Sequence, residues 1–151
     1  PALYRAAGAD GTALTGVASS SQIAAGLART WNALADQGID VYVIPPLGSL
    51  KSGLDCALKH NGDGTQCGVL RRGFFGPSRV ILDAAVRQAP RVHVIDILPV
   101  ICPGTTCSPV VGQLFVLHDA WHLSDQFSRS LGGHLTSRLR SAGLSATASG
   151  N

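Results

Sequence analysis

Two segments of this chain repeat one order of events, and that order restricts the fold more than any other feature. In the first, "SSSQIAAGLARTWNALADQG" runs straight into "IDVYVIPP". Ile23, Leu27, Trp31 and Leu34 recur at the spacing of one helix face. Ser19, with Gln22 after it, predicts a capping box at the helix start. Gly38 stands where a helix ends on a left-handed residue. Ile39, Val41, Tyr42, Val43 and Ile44 then form a near-continuous apolar run, stopped by Pro45-Pro46. Such a run reads as a strand covered on both faces, as in a parallel sheet. In the second segment, Ser78 is placed to cap "SRVILDAAVRQAP". Ile81, Leu82, Ala85 and Val86 face inward, and Pro90 closes that helix. "RVHVIDILPVI" follows as a second buried strand. Helix then strand, twice, is the pattern of α/β units.

The remaining segments hang on this frame. Residues 8–16, "GADGTALTG", read as a loop. The polar stretch from about 48 to 75 reads as a long excursion between the two units. "QLFVL" predicts a short third strand. Ser124 is placed to cap a last helix carrying Phe127, Leu131, Leu135 and Leu139. Gly132-Gly133 weakens the middle of that helix by roughly 1 kcal/mol per Gly relative to Ala. A single domain is expected over residues 1–142, with a disordered tail at 143–151.

Composition excludes several classes. With 45% hydrophobic and 14% charged residues, the chain is not a disordered tail. No apolar run approaches the roughly 18 residues of a membrane span. "PALYRAAGAD" has neither the basic start nor the apolar core of a signal peptide. The chain opens without Met, which points to a processed product or a fragment. The net charge of +3 is spread along the chain, and its densest spot is Arg71-Arg72. Aromatic residues make up 5%, with no basic run among them, so no nucleic-acid partner is expected.

The cysteines fall into two local pairs, Cys56 with Cys67 and Cys102 with Cys107, each around a turn-like segment. Three pairings are possible in principle. Sequential disulfides are the simplest, because short loops close most readily. Two alternatives stay open, a metal site and free thiols; the Cys56–Cys67 spacing is too wide for a zinc knuckle. Disulfides would place the chain in an oxidising compartment.

The polar residues most able to do chemistry stand in "FVLHDAWHLSDQ", where an apolar run stops at His118-Asp119 and His122 follows. Just past a strand is where open parallel sheets bind ligands. An Asp three residues before a His, on a tight loop, can reach that ring's own nitrogen. It would then fix the tautomer of a general base that works near neutral pH. Two other readings compete. His118 and His122, four apart, would share one face of a helix and hold a metal, with His134 as a third ligand. Alternatively, Asp119 and His122 are loop residues satisfying backbone groups.

"HDAWHLS" resembles the last block of the SGNH hydrolase superfamily, D-x-x-H followed by Leu-Ser. "RTWNALADQGIDVYVIPPLG" resembles the helix-Gly-strand-Pro segment of SGNH domains fused to membrane acyltransferases of the acyltransferase-3 family. "VHVIDILPVICPGTTC" is similar to their aspartate-bearing strand and paired-cysteine loop. The resemblance covers residues from about 22 to 140. It implies a flavodoxin-like three-layer α/β/α sandwich with a parallel sheet. It also implies a Ser-His-Asp acyl-enzyme site in which His122 is the base and Asp119 its orienter, with no cofactor and no metal. The partners it implies are an acyl donor, a glycan acceptor and a membrane acyltransferase domain. The place it implies is the periplasmic or extracellular face of a bacterial inner membrane. The family's Gly-Asp-Ser block and its Gly-x-Asn are both missing here. The chain is therefore read as the C-terminal portion of such a domain, N-terminally truncated and inactive alone. The rival readings are a non-catalytic binding or structural module and, further off, a His-based metal protein.

Overall fold

A computed structural model describes residues 5–74 and 76–144. In chain order the elements are α1 (Gly16–Asp36), β1 (Tyr42–Val43), α2 (Lys51–Lys59), β2 (Val69–Leu70), α3 (Arg71–Phe74), α4 (Pro77–Arg87) and β3 (His93–Val94). They continue with α5 (Leu98–Ile101), β4 (Thr106–Cys107), β5 (Val110–Val111), β6 (Leu114–Phe115), α6 (Asp125–Ser130) and α7 (Gly132–Ser141). The chain is mixed α/β with a small parallel sheet. It forms two compact units, one from the described parts of Pro1–Pro46 and Gly76–Val94, the other from those of Leu47–Phe75 and Ile95–Asn151.

The first unit holds both helix-strand repeats. The helices α1 and α4 pack on each other. The fully buried positions are mostly small: Ala24 and Ala28 on α1, Ala85 on α4, and Ala89 just beyond it, with Leu82. Small side chains let two helix backbones come close. The larger Ile23, Leu27, Trp31 and Leu34 are half-buried and flank that seam. Beyond α1, Gly38 takes φ +77. Its N–H donates to the Ala35 carbonyl, and that of Ile39 to the Leu34 carbonyl. This is a Schellman stop, as the glycine predicts.

The helix starts differ from expectation. Helix α1 begins at Gly16, three residues before Ser19, and its N-cap Thr15 makes no side-chain cap bond. Ser19 is instead buried inside the first turns, where its Oγ accepts the Ala6 N–H at 3.0 Å. Helix α4 is capped by Gly76 and opens on Pro77, whose fixed φ starts the helix one residue before Ser78.

The strands β1 and β3 pair in parallel, Tyr42 with His93 and Val43 with Val94. The Tyr42 and His93 rings stack at 4.9 Å. The ladder is much shorter than the apolar runs that carry it, and Ile39, Ile44 and Val94 stay exposed. The expected burial on both faces is not met within this unit.

The second unit is built around Leu50, Phe74, Ile97, Leu98, Ile101, Val116, Leu117, Phe127 and Leu131, with Cys102 and Cys107 among them. The stretch from 48 to 75, expected as a polar excursion, carries α2, β2 and α3. Leu50, Leu54 and Ala57 are buried at helical spacing under a mostly polar sequence. Both sequential disulfides are present, Cys56–Cys67 and Cys102–Cys107. A Cβ on Gly48 would sit 1.3 Å from the Phe74 carbonyl oxygen, so this close approach requires glycine.

The expected short third strand is present as Leu114–Phe115, but it does not join the parallel ladder. Leu114 and Phe115 turn back to pair antiparallel with Val111 and Val110. Gly112 (φ +56) and Gln113 (φ +66) form the two-residue turn, and positive φ at both positions is what such a hairpin needs. At the C-terminal end Ser124 caps α6, and the helical path breaks at Leu131 before the glycine pair opens α7. Gly143 (φ +95) closes α7, and the rest of the expected tail, 145–151, lies outside the described residues. No described helix is long and apolar enough to cross a membrane.

Candidate active site: the Asp119–His122 loop

Residues 118–122 form a closed loop at the end of the second unit's apolar run. Its base is an isolated antiparallel bridge between Leu117, which is buried, and Leu123. The His118 N–H donates to the His122 carbonyl at 2.9 Å, and the Ser124 N–H donates to the Val116 carbonyl at 3.0 Å. Ser124 adds two side-chain bonds. Its hydroxyl donates to the Phe115 carbonyl at 2.5 Å and accepts the Phe127 N–H at 3.2 Å. One serine thus ties the end of β6 to the start of α6. Its capping role was legible in the sequence; its grip on Phe115 was not. The pair Leu117 and Leu123, apolar on either side of "HDAWH", was the available signal for the loop's base.

Within the loop Asp119 uses both carboxylate oxygens. Oδ1 accepts the N–H of Trp121 at 2.7 Å and that of His122 at 2.8 Å. Oδ2 lies 2.7 Å from Nδ1 of His122. These bonds hold the Asp119 carboxyl well below the usual carboxylate range. The Trp121 amide acts most strongly, then the His122 ring, then the His122 amide. An ionised Asp119 makes Nδ1 the protonated nitrogen of a neutral His122, which leaves the Nε2 lone pair free. The His122 side chain is 75% exposed and that of Asp119 41%. Among the described residues no side chain bonds to Nε2.

The other sequence candidates are placed as follows. His118 Nε2 is 3.6 Å from Asp119 Oδ2, and its side chain is exposed. Residues 118–122 are not helical, so His118 and His122 do not share a helix face. His134 is on α7 with its Nε2 buried and unpartnered among the described residues. No three His, Cys, Asp or Glu side chains among the described residues gather into a metal-holding group. Ser19, expected as a helix cap, is engaged by the Ala6 backbone N–H. Sequence reasoning passed over Trp121, a 65% exposed aromatic inside the loop.

The arrangement can move a proton. A neutral imidazole oriented by a carboxylate presents a solvent-facing acceptor, and the imidazolium formed on protonation is stabilised by Asp119. A family model described as "SGNH domain (fused to AT3 domains)" matches residues 3–137. No curated protein and no solved structure matches the chain.

Proposed function

The chain belongs to the family of SGNH domains fused to AT3 domains, and from that premise we propose that it is part of an extracytoplasmic O-acyltransferase or esterase acting on a cell-surface glycan. Family membership itself points to an acyltransferase- or esterase-type module, and the family's fusion to AT3 domains is consistent with a membrane acyltransferase domain as its partner. The observation that carries the finer reading is the 2.7 Å contact of Asp119 Oδ2 with His122 Nδ1, which leaves Nε2 as a free base at the surface.

In this reading His122 takes the proton of a serine hydroxyl as the serine oxygen attacks an acyl ester. The bond between the acyl carbon and its donor oxygen breaks, and the proton passes from Nε2 to the leaving alkoxide. A sugar hydroxyl or water then attacks the acyl-enzyme, giving up its proton to His122; the bond between acyl carbon and serine oxygen breaks, and Nε2 returns the proton to that oxygen. Asp119 holds the ring and stabilises its charged form. The serine does not come from a Gly-Asp-Ser block within these 151 residues, because there is none. We place that block, with the oxyanion hole, in polypeptide outside this sequence.

The same proposal covers the architecture. Residues 1–142 belong to one domain of flavodoxin-like three-layer type, a reading supported by a single family match that spans both compact units. The exposed Ile39, Ile44 and Val94 beside a two-stranded parallel ladder support further strands in the complete sheet. Two disulfides support an oxidising, extracytoplasmic setting.

One observation favours a second reading. The lack of both Gly-Asp-Ser and Gly-x-Asn fits a module that kept the fold as a binding or structural element. Reading the coding sequence upstream of Pro1 separates the two. A Gly-Asp-Ser block preceded by a run of membrane helices supports the enzyme, and a stop codon or an unrelated domain there sinks it.

A further inference from the structure

A groove of about 460 Å³ lies in the second unit, lined by Leu70, Arg71, Arg72, Gly104 and Thr105. None of these residues belongs to the Asp119–His122 loop. One wall is the end of β2 with the start of α3; the other is the loop "PGTT" between Cys102 and Cys107. The two walls are fixed to each other. Leu70 pairs with Thr106 and Val69 with Cys107 in an antiparallel ladder. The Arg71 N–H donates to the Thr105 carbonyl at 2.8 Å. The loop is closed by the Cys102–Cys107 disulfide, whose two residues are wholly buried in the core. A groove framed by a ladder and a covalent bond is largely formed before any ligand arrives.

Its charge is unbalanced. Lys51, Arg79, Arg91 and Arg129 each pair with an aspartate, at Asp55, Asp83, Asp36 and Asp125. Arg71 and Arg72, like Arg5, Arg29, Arg87, Arg138 and Arg140, form no ion pair among the described residues, and of these they are the two that line the groove. Two arginines on one groove wall with no carboxylate partner suit a carboxylate or phosphate, whose oxygens match the planar fork. Beside them, Leu70 is 51% exposed and offers an apolar wall, and Thr105 offers an exposed hydroxyl. An anion alone needs neither. A ring with C–H faces, hydroxyls and one acidic group uses all of them.

We propose that this groove binds an acidic saccharide, its carboxylate or phosphate held by Arg71 and Arg72 and its ring set against Leu70 and Thr105. The site does not depend on the acyl-transfer reading, because it uses no residue of the Asp119–His122 loop.

The test is amide-resolved NMR titration of the full chain with trigalacturonate, maltotriose, sulfate and phosphatidylglycerol vesicles. Trigalacturonate is expected to shift the Arg71, Arg72 and Thr105 amides, and maltotriose to leave them unmoved. Its affinity should fall roughly tenfold or more in R71Q/R72Q, as loss of two charge-assisted contacts implies. In the unaltered chain it should also weaken as salt rises from about 50 to about 300 mM, which gives a readout that needs no variant. Four results overturn the proposal: no shift with trigalacturonate, affinity unchanged in R71Q/R72Q, sulfate binding as tightly at the same residues (an adventitious ion only), or vesicles binding there in preference to the saccharide.

Discussion

Asp119 reaches His122 twice, through Oδ2 to the ring nitrogen Nδ1 at 2.7 Å and through Oδ1 to the backbone N–H at 2.8 Å. One carboxylate therefore sets both the position of the residue and the tautomer of its ring. A backbone role alone would leave Oδ2 without the imidazole, and a catalytic role alone would not need the amides. The loop combines them, so removing Asp119 should disturb stability and ring orientation together.

The lowered pKa of Asp119 fixes the sign of a pH effect. Its folded value lies below the unfolded value of about 4. The stability it contributes is then fully present above about pH 4 and is lost as pH falls through the lowered folded value. Urea midpoints of the chain and of Asp119→Asn should differ above about pH 4, and the difference should shrink as pH falls below it. A difference that keeps growing below about pH 4 would contradict the carboxylate bonds described here.

Ser124→Ala removes both the cap of α6 and the bond to the Phe115 carbonyl. The expected cost is about 1 kcal/mol, the usual worth of an N-cap hydroxyl, read from chemical denaturation. The Asp119–His122 ring contact is closed by its own loop, so the His122 ring signals in NMR should move less than in Asp119→Asn.

Two glycines should respond to alanine in opposite directions. At Gly48 the added Cβ meets the Phe74 carbonyl oxygen, a backbone atom that cannot swing away, and the expected loss is about 3 kcal/mol. At Gly26, inside α1, the nearest atom is the far end of Arg29 at 3.8 Å. There alanine should add about 0.5–1 kcal/mol through helix propensity. Thermal melts of Gly48→Ala and Gly26→Ala check both signs.

The disulfides should differ in worth by their loop sizes. Cys56–Cys67 closes a separation of 11 residues and Cys102–Cys107 one of 5. Loop-closure entropy assigns them about 3 and about 2 kcal/mol respectively. Paired Cys→Ala replacements, measured by denaturation, should follow that order. The second pair also frames the Arg71–Arg72 groove, so its removal should broaden the Thr105 amide signal.

What the sequence revealed follows from how local each signal is. Gly38 ends α1, Ser124 starts α6 and the helix-strand repeats pair in parallel, because caps, stops and periodicity are written in neighbouring residues. Ser19 misled, because a Ser-x-x-Gln spacing also occurs inside a helix, where Ser19 is claimed by the Ala6 amide from an earlier loop. The polar stretch 48–75 hid α2, because three buried residues carry its apolar face. Of the hairpin at Gly112-Gln113 the sequence suggests only the second arm, with Gln113 counted into it, since glutamine at positive φ is a rare turn residue. In the candidate site, the Asp119–His122 contact was legible from its spacing. The Arg71–Arg72 groove was visible only as a charge, since its second wall comes from residues more than thirty positions away.

The most direct measurement of the central claim is acyl transfer or ester hydrolysis by the protein in which this chain is joined to its serine block. The account predicts that His122→Ala lowers kcat by about a thousandfold or more with KM little changed, and Asp119→Asn by about a hundredfold or more. It also predicts that the purified 151-residue chain hydrolyses p-nitrophenyl acetate no faster than free imidazole at equal concentration. Activity of His122→Ala within about tenfold of the unaltered protein, far short of the loss expected on removing a general base, would contradict the account.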